Sequence, residues 1–416
     1  LKPFNKAIFS VFIVPLLIIT VFVLAYSYLN KRLTRNSVEI VRPEEGIFNR
    51  SPVALPEGIE IITEEEFLRL MEEEAEDLTD EEMRQAIEMD FIGNNVQDEF
   101  ISGNMLDILA ALMHNDFIYE REEISDRIIN ILFLGDDARL HQNRGRSDTI
   151  ILISYNRDTK VINLTSFMRD TLVPISLTST YWNRINTMYA IGGPGRTINL
   201  INNLFSLDIQ RYAVVRFTGV FALVDALGGL EMYLRADEAI VLNRIFPEFD
   251  QVSEGVNLLN GRQVLAYSRM RVIDHDLART QRQRNVLRSI LNKILDTNNI
   301  GDILAIATFA LGRLQTNVSL DEIIAIGFEL FSGSRPIVEE LRIPIDGSFL
   351  PARYNGANIF VIDFEENIIA LHESIYGNAA GVWIPEFTLP GIVQFDNEPA
   401  VEVEHDRVNE AVIDVF

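Results

Sequence analysis

The chain has 416 residues, 48% of them hydrophobic, and its 61 acidic against 36 basic side chains give a formal net charge of -25. That length holds one large domain or two ordinary ones, and the apolar content is enough for real cores. The absence of cysteine excludes thiol catalysis, disulfides and thiolate zinc sites, and so acidic a balance argues against nucleic acid as a partner.

Ala7–Asn30 carries no charge and is dominated by Ile, Val, Leu and Phe. It exceeds the ~20 residues a helix needs to cross a bilayer. Residues 1–36 therefore read as an N-terminal tail and a single transmembrane helix. Lys2 and Lys6 precede the segment while Lys31, Arg32 and Arg35 follow it, so the positive-inside rule leaves its orientation open. Residues 37–127 are strongly acidic, with runs such as Glu64-Glu65-Glu66. They read as a partly helical spacer with no strand to complete the sheet that follows.

From Ile128 the pattern changes to strands: Ile128–Leu134, Thr149–Tyr155 and Val161–Phe167 are apolar runs. The short polar stretch Asn156–Lys160 predicts an antiparallel hairpin between the second and third runs. If the first pair is antiparallel too, one sheet edge collects Asp137, Asp148 and the Arg169-Asp170 pair. Carboxylates backed by arginines suit Mg²⁺ with a polyphosphate, because Mg²⁺ takes a few carboxylates plus phosphate oxygens and water. Salt bridges at a sheet edge would give the same pattern.

Gly192-Gly193-Pro194-Gly195 is neither a dinucleotide fingerprint nor a P-loop and reads as a turn into a helix over Arg196–Phe205. Further helices are expected at Thr218–Leu227, Ile303–Leu314, Leu320–Phe331 and Glu365–Tyr376. Further strands are expected at Leu230–Leu234, Val338–Pro344 and Ile359–Asp363. The end of the chain, 381–416, reads as an acidic tail.

Gly261–Leu295 holds Arg262, Arg269, Arg271, Arg279, Arg282, Arg284 and Arg288, a local inversion of the chain's charge. Val286, Leu287, Ile290 and Ile294 mark a buried helical stripe that includes Arg279 and Gln283, while Arg284 and Arg288 fall toward solvent. With Asp276 as N-cap, Arg279 lies in the first turn, where the helix favours an anion. A short helix over Asn260–Ala266 would leave the chain extended near Ser268, aiming Arg269 and Arg271 the same way. Converging guanidiniums suit phosphate, and a buried carboxylate partner is the competing reading for Arg279.

The ordered segments ILFLGDDAR, GRSDTIILISYNRDTK, SFMRDTLVPI, RINTMYAIGGPG, FTGVFALVDALGGLEM, LLNGRQVLAYSRMR and ARTQRQRNVL resemble the LytR–CpsA–Psr family of cell-envelope proteins. With the order of elements, the resemblance implies an α/β fold, an α-β-α sandwich with a central mixed, partly antiparallel sheet flanked by helices. It implies a catalytic domain over 128–380, held outside the cell by the membrane anchor. The activity it implies is Mg²⁺-dependent transfer of an anionic glycopolymer from a polyprenyl-pyrophosphate carrier to peptidoglycan through a phosphodiester. A polyprenyl-pyrophosphate hydrolase and a non-catalytic carrier-binding module are the alternatives. By the resemblance, Asp137 and Asp148 are the metal carboxylates, and Arg146, Arg169, Arg269, Arg271, Arg279 and Gln283 bind the pyrophosphate. Asp137 or Asp170 is the candidate base. Met168 stands where the family has Pro before the Arg-Asp pair, and Asp136 doubles the acid at the first motif.

Overall fold

The computed structural model describes residues 27, 30–31, 37–42, 53–63, 65–67, 69–70, 117–136, 145–175, 182–270, 276–296, 314–331, 333–385 and 387–388. Six strands form its central sheet: β1 (Ile128–Asp136), β2 (Ser147–Asn156), β3 (Val161–Phe167), β4 (Arg211–Arg216), β5 (Leu314–Thr316) and β6 (Ile337–Ile343). Their spatial order is β5-β4-β1-β2-β3-β6. The pairs β1/β2 and β2/β3 are antiparallel, as the short Asn156–Lys160 connection requires. The Asn156 side chain closes that turn by accepting the N–H groups of Asp158 and Thr159 at 2.9 and 3.1 Å, with Lys160 in the left-handed region. Parallel neighbours β4 and β6 extend the sheet on either side, and β5 closes the β4 edge antiparallel, so the sheet is mixed.

Helices α1 (Thr187–Phe205), α2 (Phe217–Ala226), α3 (Ala236–Ile245), α4 (Gly261–Arg269), α5 (Asp276–Leu295), α6 (Leu320–Phe331) and α7 (Phe364–Tyr376) supply the outer layers. Strand alternation sends Leu132, Leu134, Ile150 and Leu152 to one face, where they pack with Ile198, Ile201 and Leu204 of α1 and Ile368 and Leu371 of α7. Ile129, Ile151 and Leu164 go to the other face, against Leu287 and Leu291 of α5 and Ile326 and Leu330 of α6. On that second face Ile131, Phe133 and Ile153 are only half-buried. A satellite core joins α2, α3 and α4 to the hairpin Leu230–Leu234/Gly255–Leu259 and to Val286 of α5. The α-β-α sandwich expected from the sequence is the architecture found.

The stretch before Ile128 gives no strand to the six-stranded sheet, but it is not a bare spacer, because it carries short strands that pair elsewhere. Glu60–Ile61 pairs with Phe349–Tyr354, which pairs in turn with Ala357–Ile362. Glu39–Val41 pairs in parallel with Phe117–Tyr119, and Ile118, fully buried, belongs to the main core with Val38 and Phe67. Asn199 of α1 clamps that strand, donating to Phe117 O and accepting from Tyr119 N at 2.9 Å each. These strands are two or three residues long and interrupted by acidic stretches, so periodicity could not find them.

The glycine-rich stretch is the expected turn into the helix that ends at Phe205: Gly192 and Gly193 leave helical geometry, and α1 is two helices joined across this kink, with Pro194 opening the second. Gly193 takes φ 69°, ψ -164°, a region open to glycine alone. Among the described residues no helix is long and apolar enough to cross a membrane. The expected anchor Ala7–Asn30 lies outside them except for Ser27 and Asn30. The expected helix at Ile303–Leu314 lies outside them except for Leu314, and most of the tail 381–416 lies outside them as well.

Candidate active site

Antiparallel pairing brings the end of β1, the start of β2 and the end of β3 to one end of the sheet. There the register shifts: Gly135 pairs with Thr149 and Asp136 with Ser147, so Asp148 is an extra residue, a β-bulge on β2. A bulge re-aims the side chain it carries. The strands meet closely at this point, since a Cβ on Gly135 would come within 2.9 Å of Thr149 Cβ.

Asp148 is the centre of a knot of charges. Arg169 Nη1 donates to both of its oxygens at 3.2 Å, Asn186 Nδ2 lies 3.5 Å from Oδ1, and Arg279 Nη1 lies 4.0 Å from Oδ2. Arg169 also reaches Asp170 through Nε at 3.2 Å, and Arg184 Nη1 donates to the other oxygen of Asp170 at 3.0 Å. Asp170 is buried, whereas the Asp148 side chain keeps 19% exposure at the edge of the knot. Among the described residues three guanidiniums meet two carboxylates here, an excess of positive charge, and Arg279 is itself buried at the start of α5. That surplus, partly screened from water, is suited to an anion with several oxygens.

Asp136 has another task. It is buried, its Oδ1 accepts the N–H of Gly145 at 2.9 Å, and its Oδ2 lies 3.5 Å from Arg216 Nε. The first contact joins the described residues on either side of 137–144, and the second ties Asp136 to the end of β4. Asp137 and Arg271 lie outside the described residues. Arg146 and Arg269 are half-buried, as is Gln283, and among the described residues no hydrogen bond joins Arg146 or Gln283 to the knot. Arg269 does not sit on extended backbone: α4, started by an Asn260–Gln263 capping box, runs to Arg269, three residues beyond the expected end, and the backbone leaves helical geometry only at Met270 (φ -59°, ψ 126°).

The arginines of α5 divide by partner. Arg282, 2% exposed, donates to Glu238 of α3 and to Met270 O at 2.8 Å each. Arg284 does not reach solvent: it is buried, its Nε 3.2 Å from Glu340 of β6, while Arg288, half-buried, pairs with the other oxygen of Glu340 at 2.9 Å. The reason is that α5 lies between two cores. Val286 packs into the satellite core and Leu287 onto the sheet, so the helix has two buried faces and its arginines become internal ties. Only Arg279 of the helix is placed at the Asp148 knot by a contact between described residues. Arg184 and Asn186 escaped the sequence reading. Their signal was the RIN triplet within a quoted motif, which carries no periodicity to interpret.

Among the described residues no group of three or more His, Cys, Asp and Glu side chains could hold a metal ion. A dedicated cage is thus not on offer from them. A partly exposed carboxylate such as Asp148 does fit a hard cation that takes the rest of its ligands from substrate oxygens and water.

The sequence profile of the LytR_cpsA_psr family matches residues 107–369. Biofilm regulatory protein A of Streptococcus mutans is 33% identical over 207 residues, 47% of this chain and 51% of that protein. The Bacillus subtilis polyisoprenyl-teichoic acid–peptidoglycan teichoic acid transferase TagV is 29% identical over 228 residues, 51% of this chain and 56% of that protein. The chain thus spans about half the length of these curated relatives. The crystal structure of B. subtilis TagV superposes with a TM-score of 0.50 at 26% identity, covering 61% of this chain and 99% of that one.

Proposed function

The chain belongs to the LytR_cpsA_psr family, and from that membership we propose that it transfers an anionic cell-wall glycopolymer from a polyprenyl-pyrophosphate carrier to peptidoglycan. The observation that carries this reading is the Asp148 knot, where Arg169, Arg184 and Arg279 converge with surplus positive charge at one end of the sheet. Transfer of a phosphoryl-linked group depends on position and charge neutralisation more than on covalent protein chemistry. In the reaction a sugar hydroxyl oxygen of peptidoglycan bonds to the polymer-side phosphorus. The bond from that phosphorus to the bridging oxygen breaks, polyprenyl phosphate departs with the electron pair, and the hydroxyl proton passes to a carboxylate or water.

Arg169 and Arg279 orient the pyrophosphate and offset the charge gathering on the leaving phosphate. Asp170, buried between Arg169 and Arg184, fixes the angle of the Arg169 fork and so serves as a positioning residue. Asp148, together with Asp137 of the preceding motif, would hold a divalent cation such as Mg²⁺, which supplies further neutralisation of phosphate charge. The half-buried Ile131, Phe133 and Ile153 give the sheet face beneath α5 an apolar surface for the prenyl chain. Residues Ala7–Asn30 serve as a single-pass anchor that keeps the site at the outer face of the membrane, where carrier and acceptor meet.

The test is acceptor-dependent release of polyprenyl phosphate from a polyprenyl-pyrophosphate-linked oligosaccharide, with and without chelator. Turnover is expected only with a divalent cation and a peptidoglycan acceptor, and Asp148→Ala is expected to lower it by about 100-fold or more. Release without acceptor would make the protein a hydrolase, and binding without release would make it a carrier-binding module. Full turnover by Asp148→Ala would overturn the assignment of the knot.

A further inference from the structure

Beyond its first turn, the face of α6 turned away from the sheet is apolar. Its inner residues Ile326 and Leu330 pack toward Leu287 and Leu291 of α5. Outside stand Ile324, 47% exposed, Phe328, 74%, and Phe331, 39%, with the exposed Ala325 beside them. At 100° per residue these four positions share a sector about 120° wide, which in the first turn also holds the exposed Asp321. A helix facing water would carry polar residues there, and a large phenylalanine three-quarters exposed marks a surface that meets something other than water.

What it meets is indicated by the chain itself. Asn30, last residue of the uncharged segment Ala7–Asn30, accepts a hydrogen bond from the backbone N–H of Leu320, the first residue of α6, at 3.2 Å. The end of the expected anchor and the start of the apolar stripe are therefore one place. Lys31, exposed, follows at once, and Arg32 and Arg35 come within the next turn of sequence. Of the acidic residues of α6, Glu322 pairs with Arg211 and Glu329 with Arg157, each at 2.9 Å, which offsets the charge on the flank of the stripe, while Asp321 stands in the first turn.

We propose that α6 is an interfacial helix, lying on the bilayer that Ala7–Asn30 enters, with Ile324, Phe328 and Phe331 in the boundary between headgroups and acyl chains. The occupant of the stripe is a lipid surface, because the chain leaves its most apolar segment at the stripe's own end. An amphipathic helix beside basic residues has the composition that such a position selects. The inference rests on the reading of Ala7–Asn30 as a membrane anchor. It adds that the domain does not hang free from that anchor but lies with one face on the lipid. Because α6 shares its core with α5, docking would also fix where Arg279 stands relative to the membrane.

The hairpin Leu230–Leu234/Gly255–Leu259 offers an internal comparison, since Tyr233, Val256 and Leu258 are equally exposed apolar residues on a different element. The full chain, reconstituted in vesicles of phosphatidylcholine and phosphatidylglycerol, would be examined as Phe328→Trp and as Val256→Trp. The fluorescence of the parent protein, which holds Trp182 and Trp383, is subtracted from each. With lipids brominated high on the acyl chain, quenching of Phe328→Trp is expected to exceed that of Val256→Trp by about twofold or more. Equal quenching at the two positions, or none at Phe328→Trp, overturns the docked orientation. Blue-shifted emission at Phe328→Trp without bromine quenching also overturns it and assigns the stripe to a protein partner, whether a second copy or the chain's own segment. Failure of the protein to float with the vesicles would overturn the anchor together with the docking, whereas flotation without quenching overturns the docking alone.

Discussion

Arg279 and Arg284 are five residues apart on one helix, yet they answer to different tests. Arg279 faces Asp148 at the knot, and Arg279→Lys keeps the charge while losing the planar fork. Binding of a soluble polyprenyl-pyrophosphate analogue is expected to weaken by roughly 1–3 kcal/mol, measured by titration calorimetry. Arg284→Lys is expected to leave that affinity unchanged and instead to lower stability in urea, since Arg284 ties α5 to Glu340 of β6. The buried Arg282–Glu238 pair is the most sensitive of these ties. Arg282→Met leaves Glu238 buried without its guanidinium, at a cost of about 3–5 kcal/mol, and adding Glu238→Gln is expected to recover part of it. His372 sets a pH dependence. It is buried, its Nε2–H donates to Phe205 O at 2.9 Å, and burial holds its pKa below the ordinary histidine value. The unfolded chain therefore takes up the proton first, so this contribution to stability is present above about pH 6.5 and is lost as pH falls toward the folded-state pKa. His372→Gln is expected to flatten that part of the stability–pH curve, as followed by urea midpoints between pH 5 and 8.

At the scale of elements, the bulge on β2 and the kink in α1 are local breaks in regular geometry. Gly135→Ala would press a methyl group against Thr149 beside the bulged Asp148, so activity is expected to fall more steeply than stability. Comparing kcat with the unfolding midpoint of the same variant decides this. The long strands, their hairpin and the α-β-α layering were legible in the sequence because β1, β2 and β3 are apolar runs of seven to ten residues bounded by polar turns. The gathering of Asp148, Arg169 and Asp170 followed from antiparallel pairing alone. Arg284 was not legible, because phase on a helix tells which side faces a core only when there is one core. With the sheet on one side of α5 and the satellite core on another, a charged face became an interior one. Arg184 and Asn186 were illegible for a different reason: the strand Trp182–Arg184 has three residues, too few for any period.

For the molecule as a whole, the stretch before Ile128 is part of the fold. Val38 donates its N–H to the Tyr212 hydroxyl at 2.9 Å, and Val38, Phe67 and Ile118 belong to the main core. A chain beginning at Ile128 is expected to lose the burial of all three and to melt on the order of 10 °C lower, read by circular dichroism. The same pairings have a mechanical consequence. Between residues 71 and 116 the chain passes from one stitched strand to another: Glu60–Ile61 is held by Phe349–Tyr354, and Phe117–Tyr119 by Glu39–Val41 and Asn199. A single nick by a protease in that interval would sever the covalent path from the N-terminus to the arginine site without freeing either piece. The two fragments would stay clasped through strand edges and core, so covalent continuity across that interval is not what holds the N-terminal strands to the domain that carries the arginine site.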